Sequence, residues 1–128
     1  MPRFGDLEAA IMDTVWAADK PLRVREVLER LDREPEPAYN TVHTVTEVLH
    51  RKGWLSKEKD GRAFRYGATA SREQYVAGLM GEVLAVADDR AAAVVSLVES
   101  MEPDEAAELR RLLAAARDGR AQSEDRDR

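Results

Sequence analysis

The stretch AYNTVHTVTEVLHRKGWLSKEKDGRAFRYGA, residues 38–68, changes period halfway along. In its first half Val42, Val45 and Leu49 recur at the spacing of one helix face, which predicts a helix over about 38–52. Gly53 closes it, glycine being the residue that most readily takes the left-handed conformation past a helix end. The second half follows another rule. WLSKEK (54–59) and AFRYGA (63–68) are short runs joined through Asp60-Gly61. Asp-Gly between two such runs predicts a tight hairpin, because glycine tolerates the positive φ of a primed turn.

Upstream, Leu7, Ile11 and Val15 fall on one helix face, widened by Met12 and Trp16. They predict a first helix over about 6–17, closed by ADKP. Val24, Val27, Leu28 and Leu31 predict a second over about 23–32, which DREPEP ends because proline cannot continue a helix interior. Three short helices followed by a two-stranded hairpin is the layout of a winged helix-turn-helix. The expected class is therefore mainly α with a small β-hairpin.

Beyond the hairpin, Ser71 with Gln74 three residues later reads as a capping box. It opens a helix whose apolar face includes Val76, Leu79, Met80, Val83 and Leu84. DDR (88–90) marks a break before a run containing Val94, Val95, Leu97, Val98 and Met101. Pro103 suits the first position of a last helix, with Asp104 and Glu105 favourable at its positive end. That helix carries Leu109, Leu112 and Leu113. From residue 118 the chain is nearly devoid of apolar residues, which predicts a disordered tail. The expected organisation is a winged module over 1–70, a helical region over 71–117 and a tail over 118–128.

Charge is distributed unevenly. The chain carries −5 overall, but residues 1–75 hold 13 basic and 13 acidic side chains, so the excess lies in residues 76–128. Within 48–68, six basic residues face only Glu58 and Asp60, a local patch able to bind phosphate despite the acidic total. There are no cysteines, which excludes disulfides, thiol redox switches and cysteine-ligated metals. The sequence has neither an apolar stretch long enough to span a membrane nor the apolar core of a secretory signal near its start, so the expected location is cytoplasmic. His43 and His50 are seven residues apart, roughly 10.5 Å along a helix, too far to chelate one ion. No nucleophile elbow, glycine-rich phosphate loop or His-Glu metal motif occurs, so neither enzyme, cofactor nor metal is expected.

With Val42, Val45 and Leu49 turned inward, the third helix presents Asn40, Thr41, His43 and Thr44 outward near its start. Such groups bond to base edges and phosphates when a helix N-terminus enters a major groove, although a solvated face with a capping residue would look similar. Tyr39 either packs at the helix entry or reaches a phosphate. Arg62 at the hairpin tip suits a phosphate or the minor groove, flanked by Lys57, Lys59 and Arg65, with Arg51 at the helix end. Lysines that merely protect an edge hairpin are the plain alternative. The helices of 76–117 span roughly 40 residues, near or below the size at which a domain usually supports a core of its own. Leu79, Val83, Val94, Val98, Leu109, Leu112 and Leu113 must fold back on the winged module or pair with a second copy. Pairing is the favoured reading, since the winged module already has a core. A protein-binding winged helix and a ligand-sensing regulator are the competing readings. The polar face of the third helix argues against the first, and the few converging polar groups in 76–117 against the second.

These pieces together resemble the penicillinase-repressor (BlaI/MecI) family of bacterial winged-helix repressors. LEAAIMDTVW resembles its first helix, PLRVREVLERL its second, NTVHTVTEVLHRKGWL its recognition helix and KDGRAFRY its wing. The resemblance covers about residues 5–68 closely and the later helices loosely. It implies a homodimer on palindromic operator DNA, with the C-terminal helices intertwined. It also implies release by a signal-activated protease that responds to a β-lactam, and so a link to antibiotic resistance. Two departures stand out: Val48 occupies a position often basic in the family, and SLVESMEPDEAAEL (96–109) lacks the Asn-Phe pair expected at the cleavage site. The C-terminal cysteine pairs of copper-responsive relatives are absent as well.

Overall fold

The computed structural model describes residues 4–126, and side chains through residue 120, as two compact units divided between Glu82 and Val83. The first unit contains α1 (Asp6–Ala17), α2 (Val24–Arg30), α3 (Tyr39–Arg51), β1 (Leu55–Asp60), β2 (Ala63–Ala68) and most of α4 (Arg72–Leu84). Its core is one cluster fed by every element before α4. Ile11, Met12 and Val15 come from α1, Val24 and Val27 from α2, Val42 and Leu49 from α3, and Leu55 and Tyr66 from the hairpin.

Each strand of the hairpin puts one side chain into the core. Leu55 and Tyr66 are buried, and the strands pair antiparallel from Leu55↔Ala68 to Asp60↔Ala63. The segment between α1 and α2 adds to this pairing, because Leu22 and Tyr66 exchange backbone hydrogen bonds of 2.9 and 2.8 Å. Leu22 is fully buried. A stretch that reads from sequence only as a break is thus the strap that holds the wing to the helices.

Three sequence expectations are revised. The buried stripe of α3 is Val42, Thr46 and Leu49, with Val45 only half-buried. Thr46 fits this apolar site because its hydroxyl donates to Val42 O at 2.7 Å, satisfying its polar atom inside the helix. The division of the chain lies within α4, not at 70/71, because Tyr75 is buried in the first unit. Helix α2 is shorter than 23–32, since Arg23 and Leu31 take extended cap conformations at its two ends.

In the second unit, Asp89 caps α5 (Arg90–Glu99) by accepting from Ala92 N–H at 3.0 Å. Pro103 opens α6 (Pro103–Arg126). This helix continues through the segment expected to be disordered from 118. Residues 127–128 of that tail lie outside the described residues. No residue in 83–120 is buried: Val83 is 72% and Val86 84% exposed, and Val94, Leu112 and Leu113 are exposed as well. Val98 and Leu109 are half-covered, as is Leu79 in the first unit.

Candidate nucleic-acid interface

Helix α3 is strongly two-sided. With Val42, Thr46 and Leu49 in the core, Asn40, Thr41, His43 and Thr44 are all exposed on the opposite side of its first turns. Tyr39, at the helix start, is 41% exposed and lies between two neighbours. The Arg25 guanidinium sits over its ring at 5.3 Å, and His43 runs nearly parallel to it at 6.2 Å and 16°. Arg51 is exposed on the same stripe as Asn40 and Thr44, about 16.5 Å beyond Asn40 along the axis at 1.5 Å per residue.

The wing is shaped by its turn and by two carboxylates. Because Asp60 pairs with Ala63, the loop is the two residues Gly61 and Arg62. Gly61 has φ +66°, while no other residue type in the described chain has positive φ, the pattern of a II′ turn. Asp60 accepts from Arg23 at 2.8 Å and from Arg65 at 2.6 Å, which joins the hairpin tip to the start of α2. The Arg23 and then the Arg65 hydrogen bonds hold the Asp60 carboxyl below the usual carboxylate range. Arg65 also pairs with Glu26 at 3.0 Å and donates to Pro21 O at 3.2 Å. Its own pKa is raised, chiefly by Asp60.

Glu47 is a second strut, between α3 and the hairpin. Its carboxylate accepts from the Tyr66 hydroxyl and from Lys57 Nζ, the latter at 2.9 Å. The Tyr66 bond and then Lys57 hold Glu47 below its ordinary pKa despite partial burial. Burial and the adjacent carboxylate both push the Tyr66 hydroxyl upward, so it stays a donor. Lys57 Nζ lies over the Phe64 ring at 4.3 Å as well.

The structure therefore separates the cations that look alike in sequence. Arg65 and Lys57 are committed to internal pairs. Lys59, Arg62 and Arg51 are exposed and make no hydrogen bond or ion pair among the described residues. Tyr39, His43, Arg62 and Arg65 line one cleft of about 640 Å³ with Arg25 and Phe64, whereas Arg51 stands outside it. Sequence reasoning missed Arg25, which lies beside Tyr39 through the α2–α3 packing, and Glu47. The only available signal for Glu47 was an acid on the stripe of His43 and Thr44, with nothing to say that Tyr66 would meet it. Among the described residues no group of acids and histidines could hold a metal ion, and no helix is long and apolar enough to cross a membrane.

A core of three helices, a polar outward face on the third and a two-stranded wing with free cations at its tip define a winged-helix DNA-binding protein. The model of the penicillinase repressor family matches residues 4–115. The transcriptional regulator BlaI of Mycobacterium tuberculosis is 44% identical over 117 residues, covering 89% of this chain and 85% of its own. The penicillinase repressor of Bacillus licheniformis is 26% identical over 76 residues, 59% of each chain. Among solved structures, the DNA-binding domain of the repressor BlaI is 27% identical with a TM-score of 0.50, covering 58% of this chain and 89% of that one. This chain belongs to the penicillinase repressor family. It is a transcriptional repressor and not an enzyme.

Proposed function

We propose that the chain acts in the cytoplasm as a homodimer, seating one α3–wing head on each half of a palindromic operator. The observation that carries this reading is the polar face of α3 beside wing cations that have no internal partner. In it, Asn40, Thr41, His43 and Thr44 enter the major groove, with Tyr39 at the helix entry. Lys59, Arg62 and Arg51 take phosphates, and Arg65 and Lys57 shape the wing from within. The aliphatic side chains left exposed beyond Glu82 support pairing with a second copy, since each fully buried one contributes about 1.5–3 kcal/mol. On the same reading, Leu79, Val83, Val94, Val98, Leu109, Leu112 and Leu113 form the pairing surface. An upstream signal releases DNA by cutting or loosening that region. Family membership supports a signal-activated protease tied to β-lactam exposure as the agent, cutting at a site other than the Asn-Phe pair that 96–109 lacks.

The test begins by selecting genomic fragments that the full chain retains, which yields the palindrome. Full-length protein and a chain ending after Glu82 are then compared by sedimentation and by titration onto that palindrome. The shorter chain keeps the buried Tyr75 and should be a folded monomer. It should bind the palindrome about 10²–10⁴ times more weakly, because the second head no longer binds intramolecularly. A monomeric short chain that binds as tightly as the whole would refute the dimeric reading.

A further inference from the structure

The first turns of α4 are fastened to the rest of the first unit by a cluster of rings that includes none of the residues lining the cleft between α3 and the wing. Tyr75 is the only buried residue of α4 among those described. Its ring stacks on Phe4 with centroids 4.3 Å apart and planes within 7°, and it meets Trp54 edge-on at 5.2 Å. Trp16 of α1 closes the group at 5.7 Å from Tyr75. Two hydrogen bonds lock the arrangement. Phe4 N–H donates to the Tyr75 hydroxyl at 3.1 Å, and the Trp16 indole donates to Ala70 O at 2.9 Å, next to the Ser71–Gln74 capping box. Arg72 adds a pair to Asp13 at 2.8 Å and lies over the Trp16 ring.

Ring pairs are directional where aliphatic contacts are not, so a stacked and edge-on cluster fixes rotation about a helix axis as well as position. Here the fixed reference is the recognition helix. Trp54 follows immediately on the Gly53 turn that ends α3, and its N–H bonds back to Leu49 O at 3.0 Å. The tip of α3 and the start of α4 are therefore registered against each other through one ring contact. The chain beyond Glu82 is reached only along α4.

We infer that Tyr75 is a positioning residue that fixes the direction in which α4 leaves the reading head, and so sets the half-site spacing the dimer accepts. This rests on the homodimeric operator reading above. A merely structural Tyr75 would affect stability and leave spacing preference untouched.

The experiment uses the full chain and duplexes of the selected palindrome in which the half-sites are moved apart one base pair at a time. The wild-type protein should favour one spacing. It should lose most of an avidity of about 10²–10⁴ when the half-sites are rotated by half a DNA turn, about five base pairs. Tyr75→Leu keeps apolar volume without the ring. It should sediment as a dimer and bind a single half-site within about twofold of wild type, yet flatten the spacing penalty by about tenfold or more. Phe4→Leu, which removes the other half of the stack, should do the same and decides the matter if Tyr75→Leu fails to fold. Folded, dimeric variants with the wild-type spacing profile overturn the inference. A wild-type chain that sediments as a monomer overturns the dimeric reading instead, and the two failures are told apart by sedimentation alone.

Discussion

Replacing Arg62 with alanine should change how binding depends on salt more than how it depends on sequence. The Arg62 guanidinium is exposed at the wing tip with no acid partner among the described residues, so nothing inside the protein loses a contact when it goes. Its backbone φ is not positive, so alanine fits the turn beside Gly61. Each phosphate neutralised contributes about −0.9 to the slope of log affinity against log salt. The variant should therefore be shallower by about 0.9 per head and about 1.8 for a dimer. At 0.15 M salt that corresponds to about fivefold weaker binding per head and about thirtyfold for two, relative to a 1 M reference. Operator and random duplexes should suffer alike. Arg65→Ala is the contrasting case. Its guanidinium is already paired with Asp60 and Glu26, so its loss should loosen the wing and lower stability with little change in slope. Anisotropy titrations of both variants across a salt series make the comparison. An unchanged slope for Arg62→Ala would show that the free cation at the tip meets no phosphate.

Two further outcomes are expected. Substituting Thr41 or His43 should cost about 1–3 kcal/mol more on the operator than on random DNA, in competitive titrations, if these exposed groups read base edges; equal losses on both would make them positioning contacts only. Because the Glu47 carboxyl is held below its ordinary value near 4.5, the stability it contributes is complete above that pH and is lost as pH falls through the lower folded value. Denaturant unfolding of wild type and Glu47→Gln should thus differ by about 1–2 kcal/mol at neutral pH and converge in acid, and a gap that persists unchanged in acid would remove Glu47 as the strut.

The parts of the fold legible in sequence are those set by local periodicity. Leu7, Ile11 and Val15 mark α1, and the hairpin follows from Asp60-Gly61, because an amphipathic face or a turn glycine is a short-range signal. The polar face of α3 was legible for the same reason, as the complement of its buried stripe. Pairings between distant residues were not. Arg65 and Arg62 are three positions apart and chemically identical, and only the approach of Asp60 and Glu26 distinguishes them. Tyr75 reads as one more residue on an amphipathic helix until Phe4, 71 residues away, is found bonded to its hydroxyl. The Leu22–Tyr66 bridge and the Glu47–Tyr66 bond belong to the same class, since both tie Tyr66 to elements that the sequence separates from it.

The bare aliphatic surface beyond Glu82 has a consequence for dosage. If those valines and leucines are covered only by a second copy, the active species forms by a second-order reaction, and at low abundance its amount follows the square of the chain's concentration. Halving synthesis would leave about a quarter of the dimers. The same arithmetic applies to damage. If each cut removes one chain's pairing surface, cutting half of the chains in existing dimers at random leaves only about a quarter of the pairs intact, because one broken partner releases the other. A cell would thus clear its operators well before it had destroyed its repressor, and would restore repression late, because dimers re-form with the square of the intact chain's concentration.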